Sequence, residues 1–163
     1  MRIGIISDTH IRKDYSKIDS FIEKYLKDLD AIIHVGDYTT IDLIDKLKKT
    51  NDFVGVYGNV DGLEIKDMLK QKEFIEILGH KIGIFHGDGN RKTTIERVYD
   101  EFKNDDVDIL VFGHSHQPII KTKNQRLMLN PGSPTDKRRE RWFSYIVLEL
   151  TEELINAQLR FFS

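Results

Sequence analysis

Residues 3–10 read Ile-Gly-Ile-Ile-Ser-Asp-Thr-His, a short apolar run that ends abruptly in polar residues. Such a run, bounded by polar residues, is typical of a buried strand. Similar runs occur at four further places, and each is followed by a residue that can bind a metal ion. We therefore predict strands over residues 3–6, 31–35, 53–57, 82–85 and 109–112.

Several of these strands are separated by segments with a helical rhythm. Apolar residues recur with a period near 3.6 over residues 18–29, 41–47 and 95–102, which is the spacing of one helix face. Thr93 and Glu96 have the spacing of a capping box at the start of the third segment. Strands that alternate with helices predict an α/β fold with right-handed crossovers.

Two parts of the chain depart from this alternation. Residues 74–78 and 81–85 are separated only by Gly79 and His80, which predicts a hairpin with His80 in its turn. After Gly113 the helical rhythm stops, and four further segments predict strands, at residues 119–123, 127–130, 143–150 and 155–161. We expect these strands to form a second sheet, or an antiparallel extension, packed against the first sheet. Because the sequence contains no internal repeat and no Pro/Gly/Ser-rich linker, we expect residues 1–163 to form a single domain.

Composition excludes several classes of protein. The chain has 163 residues, of which 39% are hydrophobic and 32% charged, as in an ordinary globular protein. The net charge of -2 argues against a large face for binding polyanions. Cysteine is absent, which excludes disulfides and thiolate metal sites. No segment has the roughly 18 consecutive apolar residues of a membrane span, and the N-terminal run is too short for a secretory signal. We therefore expect a cytoplasmic protein that does not bind membranes.

The polar residues after the first five apolar runs form a set of metal ligands. In open α/β sheets, ligands bind beyond the carboxyl ends of the strands, so we expect these residues to meet at one rim. Residues i and i+2 of an extended segment also face the same side. Two carboxylates, one amide and four imidazoles are enough for two cations, and suit Mn, Fe, Zn, Ni or Co better than Ca. The predicted ligands are Asp8, His10, Asp37, Asn59, His86, His114 and His116.

Each motif alone has an ordinary structural interpretation, as a cap, a turn or a packed histidine. Their joint occurrence, each at the end of a strand, favours the metal site. Of the two histidines outside the set, His34 is expected to be packed in a strand or to lie behind the ligands.

The motifs Asp-Thr-His, Gly-Asp, Gly-Asn, His-Gly and Gly-His-Ser-His, in this order, resemble the signature of the calcineurin-like metallophosphoesterase superfamily. The resemblance extends over residues 3–133. Residues 130–133, Asn-Pro-Gly-Ser, resemble a loop of its short bacterial and archaeal phosphodiesterase branch, which includes the retromer scaffold subunit of eukaryotes. This resemblance implies a four-layer αββα sandwich, with two mixed β-sheets inside and helices on the outside.

The resemblance also implies how the ligands are shared between two divalent cations. One cation would be held by Asp8, His10 and His116, the other by Asn59, His86 and His114, with Asp37 and a water or hydroxide bridging them. Two cations about 3.5–4 Å apart lower the pKa of a bridging water and clamp the phosphoryl oxygens. We expect that hydroxide to attack phosphorus directly. Manganese is the expected metal, with nickel, zinc, iron and magnesium as alternatives.

The sequence departs from the family pattern at two positions. Many members carry histidine after the Gly-Asn pair, where it protonates the leaving oxygen, and this chain has Val60 there. Because valine cannot donate a proton, we expect slow turnover of poor leaving groups. Asn59 and Asp61 are the candidate catalytic residues, although Asp61 could instead cap the turn. The branch often has a second histidine where this chain has Asp88, which could bond a ligand histidine or alter the affinity for phosphate.

Candidate substrate contacts are Asn59, Asp88 and Arg138. Arg138 belongs to a basic cluster with Lys137, Arg139 and Arg141, for which the alternative is a solvated loop.

The leading hypothesis is a phosphodiesterase that acts on small phosphodiesters. A nuclease ranks lower, since the chain has no room for an appended nucleic-acid domain and is slightly acidic. The other alternative is a metal-binding scaffold for protein partners with weak or no activity. A homodimer is left open.

Overall fold

The computed structural model describes residues 1–11 and 14–163, and it contains ten strands in these ranges. They are β1 (Arg2–Ile6), β2 (Ala31–His34), β3 (Asp52–Gly55), β4 (Lys72–Ile77), β5 (His80–Phe85), β6 (Ile109–Val111), β7 (Ile119–Lys123), β8 (Arg126–Asn130), β9 (Phe143–Leu150) and β10 (Ile155–Phe162). The helices are α1 (Ser16–Phe21), which continues in a π-helical segment (Ile22–Leu26), α2 (Ile41–Thr50), α3 (Leu63–Met68) and α4 (Thr94–Glu101). Within the described ranges, no helix is long and apolar enough to span a bilayer.

The strands form two mixed sheets of five. In the first, the order is β10-β9-β1-β2-β3. Strands β1, β2 and β3 are parallel, and β9 runs antiparallel to both of its neighbours, β1 and β10. In the second, the order is β4-β5-β6-β8-β7, with β5, β6 and β8 parallel and β4 and β7 antiparallel at the two edges. The C-terminal strands thus form both of the predicted arrangements, a second sheet and an antiparallel extension of the first. β7 and β8 complete the second sheet, and β9 and β10 extend the first.

The two sheets bury their inner faces against each other. Successive side chains of a strand point to opposite faces, so Ile3 and Ile5 of β1 pack inward while Ile6 packs against the helices outside. The inner core includes Ile82 of β5 and Ile109 of β6. Helices α1 and α2 cover the first sheet and α4 covers the second. This arrangement confirms the four-layer αββα sandwich.

Three local features test the sequence patterns. The capping box of α4 is confirmed: the Glu96 N–H donates to Thr93 Oγ1 at 3.3 Å, and the Thr93 N–H donates to Glu96 Oε2 at 2.9 Å. The β4–β5 hairpin is also confirmed, but Leu78 and Gly79 form its turn, both with positive φ. The expectation that His80 lies in this turn is wrong, because His80 begins β5 and pairs with Ile77.

Helix α3 was not predicted. It has six residues, of which only Ile65 is buried, so it carries no apolar stripe that could identify it.

Candidate metal centre

Five loops that follow parallel strands meet at one edge of the sandwich. The Asp8 N–H donates to the Gly36 carbonyl at 3.0 Å, which joins the loops after β1 and β2. The Gly113 N–H donates to the His86 carbonyl at 3.1 Å, which joins the loops after β5 and β6. The His114 N–H donates to Asp8 Oδ2 at 2.9 Å and so links the two sheets. The structure therefore brings the polar ends of both sheets to a single rim.

The backbone at this rim is strained. Five of the seven predicted ligands have a left-handed φ, between 46° and 65°, although none of them is glycine: Asp8, His10, Asp37, His114 and His116. This conformation is uncommon for such residues, and clusters of it occur at functional sites, where the surrounding fold holds the strain.

Asp8, His10 and His116 form the first group of potential ligands. The Nε2 atoms of the two stacked imidazole rings lie 3.2 Å apart, and Asp8 Oδ1 lies 3.4 Å from His116 Nε2. Asp8 Oδ1 is buried and has no hydrogen-bond partner among the described residues. His116 Nδ1–H donates to the Asp136 carbonyl at 2.5 Å, which leaves the Nε2 lone pair free to bind a cation.

His86 and Asp37 lie at the centre of the second group. His86 Nδ1–H donates to the Val35 carbonyl at 2.6 Å, so its Nε2 faces the site, 3.3 Å from Asp37 Oδ2. That Nε2 is buried and makes no directed hydrogen bond within the described part of the chain. Asp37 Oδ2 also lies 3.6 Å from His10 Nε2 in the first group. One oxygen of Asp37 thus lies near histidines of both groups.

His114 and Asn59 complete the site on its more exposed side. The His114 Nδ1–H donates to Asn59 Oδ1 at 3.0 Å, and its ring packs edge-on against His86 with the centroids 5.2 Å apart. All seven predicted ligands are therefore connected by contacts around one centre.

The electrostatics of the centre follow from burial and from the two carboxylates. Burial raises the pKa of Asp8 to about 6. Burial also acts against ionisation of Asp37, but the adjacent His86 and the Val60 N–H outweigh it and lower the pKa of Asp37 to about 2. For His86, burial disfavours the charged ring, and the Asp37 and Asp8 carboxylates overcome it and raise its pKa to about 9. In this protein the metal-free centre holds a proton on His86 that a cation would displace.

The other three ligand histidines behave differently. Burial is the main reason that the pKa values of His10, His114 and His116 are lowered, so these rings are neutral at pH 7 and ready to bind a metal.

The donor set and its geometry fit divalent cations. Imidazole nitrogens and carboxylate oxygens converge, and backbone carbonyl groups orient the rings of His86 and His116. Two buried atoms of the centre, Asp8 Oδ1 and His86 Nε2, have no hydrogen-bond partner in the described residues. The absence of thiolates places the site among those suited to Mn, Fe, Zn, Ni or Co.

Asp61 lies beneath the ligands and is almost fully buried. Its Oδ2 accepts hydrogen bonds from the N–H groups of Asp37, at 2.9 Å, and Gly58, at 2.8 Å. Its Oδ1 accepts one from the Thr39 N–H at 2.9 Å. The carboxylate therefore holds the loops after β2 and β3 together. Asp61 thus caps backbone N–H groups, as the structural alternative for this residue predicted, and it does so in two loops rather than in one turn.

The two remaining candidates lie beside the ligands. Asp88 is near enough for its charge to oppose the lowering of the His114 pKa, and the charge of Arg138 acts on His116. Arg138 also lines an open pocket of about 730 Å³ together with His10, Thr39 and Val60.

Several supporting residues lie behind the ligands. His34 is fully buried: its Nδ1 accepts from the Gly36 N–H at 3.2 Å, so its Nε2–H faces Thr9 Oγ1 at 3.1 Å. This agrees with the expectation that His34 lies behind the ligands. Arg97 was missed by sequence reasoning; its Nε–H donates to the Gly87 carbonyl at 2.8 Å and braces the loop that carries His86. No local pattern distinguishes Arg97 from other helix-surface arginines.

The Asn-Pro-Gly-Ser loop supports both sheets. Asn130 Nδ2 donates to the Gly113 carbonyl at 2.9 Å, and the Ser133 hydroxyl donates to the Asp8 carbonyl at 2.8 Å. This motif is visible in the sequence, but the contact of Ser133 with Asp8 joins residues 125 positions apart in the chain.

Comparisons with known proteins agree with this fold and identify the family. The family model for a calcineurin-like phosphoesterase superfamily domain matches residues 1–153. The probable metallophosphoesterase MJ0623 of Methanocaldococcus jannaschii is 39% identical over 143 residues, which are 85% of this chain and 70% of that protein. Phosphodiesterase MJ0936 of the same organism is 28% identical over 147 residues, 81% of this chain and 83% of that protein. A crystal structure of wild-type Vps29 complexed with Zn²⁺ from Entamoeba histolytica has a TM-score of 0.76 at 23% identity, with all of both chains covered, which shows a shared fold.

Proposed function

The chain belongs to the calcineurin-like phosphoesterase superfamily, and on that basis we propose that it is a dinuclear metal-dependent phosphodiesterase that hydrolyses small phosphodiesters. The observation that carries the proposal is the pair of buried polar atoms, Asp8 Oδ1 and His86 Nε2, which lack a hydrogen-bond partner among the described residues. A buried polar atom without a partner is costly unless a ligand satisfies it. Both atoms lie within clusters of metal-ligand type.

The geometry supports the following allocation of ligands. Asp8, His10 and His116 would hold one cation, Asn59, His86 and His114 would hold the other, and Asp37 would be available to both. Bound divalent cations supply positive charge that neutralises the phosphoryl oxygens and acidifies water. Mn²⁺ is the metal that we propose first. The relative crystallised with Zn²⁺ makes zinc the next to test.

The remaining residues position the substrate and the ligands. The Asn59 amide lies at the exposed side of the centre, where its N–H₂ can donate to a phosphoryl oxygen while its carbonyl faces His114. Arg138 lines the pocket beside His10, where its guanidinium can donate to a phosphate. Asp61 acts on catalysis through the backbone of Asp37 and Gly58 rather than through a contact with substrate.

Val60 limits the chemistry. Its backbone N–H donates to Asp37 Oδ1 at 3.1 Å, while its side chain lines the pocket beside His10 and cannot donate a proton. We therefore propose that aryl diesters, whose leaving oxygen needs no proton, are hydrolysed faster than alkyl diesters. The small phosphodiester is preferred over nucleic acid because the net charge is slightly negative.

A second candidate is a metal-binding scaffold, because the chain shares the fold of Vps29 and lacks the usual histidine at position 60. A scaffold has no need for seven converging ligands, five of them on strained backbone, so the enzyme is favoured.

The test is hydrolysis of bis(p-nitrophenyl) phosphate by metal-stripped protein supplied with Mn²⁺, Ni²⁺, Zn²⁺, Mg²⁺ or no metal. Turnover should require a metal and should be abolished by His116→Ala. The matched control is His80→Ala, which removes an imidazole at the far end of β5 that contacts the Thr151 carbonyl. If calorimetry finds two tight metal sites and no metal supports turnover, the phosphodiesterase proposal is wrong and the metal-binding scaffold replaces it.

A further inference from the structure

A second open pocket borders the candidate metal centre at His116. It has a volume of about 530 Å³, and we call it the basic groove. On one side it is lined by Ser115 and Gln117, which flank His116 in the chain, and on the other by residues 137–140 (Lys-Arg-Arg-Glu). The basic groove shares Arg138 with the pocket beside His10. Since the Nε2 atoms of His10 and His116 are 3.2 Å apart, the two pockets open from neighbouring sides of one centre.

The basic side of the groove is anchored to the metal centre. His116 Nδ1–H donates to the Asp136 carbonyl at 2.5 Å, and the Asp136 N–H donates to Ser133 Oγ at 2.8 Å. The Glu140 N–H donates to the Lys137 carbonyl at 2.8 Å and closes the turn that carries the arginines. Arg138 has a left-handed φ of 46°, an uncommon conformation for an arginine. The turn is therefore held in place beside a ligand histidine.

Two arginines of this turn are available to a ligand. The Lys137 ammonium is engaged by the Arg141 carbonyl at 3.1 Å and by the face of Phe143. In the part of the chain that the structure describes, no carboxylate lies within 4 Å of Arg139, and the one near Arg138 is Asp136 at 3.8 Å. Glu140 is the acidic residue of the groove lining and forms no ion pair with either arginine in that part of the chain.

We propose that the basic groove binds a second phosphate group of the substrate through Arg138 and Arg139. The inference rests on the proposed function, because it places the phosphodiester at the metal centre with one arm in each pocket. The planar guanidinium group matches a phosphate with paired hydrogen bonds. The substrate class is thus a phosphodiester with a phosphate monoester on one arm, such as a phosphorylated nucleoside diester.

The test uses two aryl esters that differ by one phosphate group. They are p-nitrophenyl thymidine 5′-phosphate and the same compound with a 3′-phosphate, assayed with the Mn²⁺-loaded protein at low ionic strength. We expect kcat/KM to be about fivefold higher for the 3′-phosphorylated ester, the gain available from a solvent-accessible charged pair. Arg139→Gln should bring the ratio of the two kcat/KM values to about one. Arg160→Gln removes the same charge from an exposed site on β10 and should keep the wild-type ratio.

The outcomes separate this inference from the proposed function. Equal kcat/KM values for the two esters in the wild-type protein would overturn the second phosphate site and leave the phosphodiesterase standing. The same fall in the ratio for Arg160→Gln as for Arg139→Gln would also overturn it, because net charge and not the groove would then cause the preference. Hydrolysis of neither ester would overturn the proposed function and this inference with it.

Discussion

Replacement of Asp61 by asparagine is expected to weaken two ligand loops at once. The carboxylate is only 3% exposed and accepts three hydrogen bonds, from the N–H groups of Asp37, Gly58 and Thr39, at 2.8 to 2.9 Å. Asparagine keeps one oxygen and turns its N–H₂ group toward at least one of these donors. A hydrogen bond to a charged group contributes about 1.5–3 kcal/mol, and an unsatisfied buried donor costs about 1–3 kcal/mol. We therefore expect Asp61→Asn to lower the free energy of unfolding by about 2–4 kcal/mol.

The same substitution should weaken metal binding. Asp61 fixes the backbone of Asp37, whose carboxylate is the proposed shared ligand, and loss of a residue that orients a ligand costs about 10- to 100-fold in metal affinity. Urea unfolding of the metal-free protein measures the first effect, and calorimetric titration with Mn²⁺ measures the second. Asp67→Asn makes the same chemical change at an exposed position of α3 and should shift stability by less than about 0.5 kcal/mol.

One result would refute this reasoning. If Asp61→Asn kept the stability and Mn²⁺ affinity of the unchanged protein while kcat fell, Asp61 would act in the chemical step, as the sequence first predicted, and the account based on loop positioning would be wrong.

Three further predictions concern neighbouring features of the centre. Gly58→Ala should lower the free energy of unfolding, measured by urea titration, by about 1–3 kcal/mol, because the added Cβ would lie 2.1 Å from Asp37 Oδ1. Gly62→Ala is the control and should leave the free energy of unfolding unchanged, because no atom of the described residues lies within 4 Å of its added Cβ. Val60→His should raise kcat for alkyl diesters by about 100-fold relative to bis-aryl esters, because histidine supplies a proton donor in the pocket beside His10. Val60→Gln is the control. An equal gain for both ester classes would contradict the assignment of a missing proton donor at position 60. In the metal-free protein, the raised pKa of His86 stabilises the fold fully below pH 6.5 and this contribution is lost as the pH rises through about 9. Urea unfolding in the presence of a chelator should therefore give about 3 kcal/mol less stability at about pH 9.5 than at pH 6.5, and a rise over that range would contradict the assignment.

Local patterns in the sequence were sufficient for most of the elements. Short apolar runs identify the buried strands. The runs at residues 143–150 and 155–161 predict the bounds of β9 and β10 to within one residue. Helix α4 is identified by both its apolar period and its capping box. Helix α3 and the exact hairpin turn were missed, because one is too short to show a period and the other depends on which residues adopt a positive φ.

The identity of the candidate ligands could also be predicted from the sequence, since Asp and His residues directly follow apolar runs whose carboxyl ends had to share an edge. The sequence could not show which carboxylate oxygen faces which histidine. Asp37 Oδ2 meets His10 and His86, residues separated by 76 positions in the chain, only because two different sheets pack face to face.

The sequence by itself determined the α/β class, the order of the strands along the chain and the residue types of the metal centre, because these depend on short-range patterns. Only the tertiary structure decided the functions of Asp61, Arg97 and Asn130 and the position of the basic groove beside His116. The physical reason is that hydrogen bonds to buried backbone groups and the convergence of loops are set by how the two sheets stack. No local pattern of hydrophobicity or charge records that stacking.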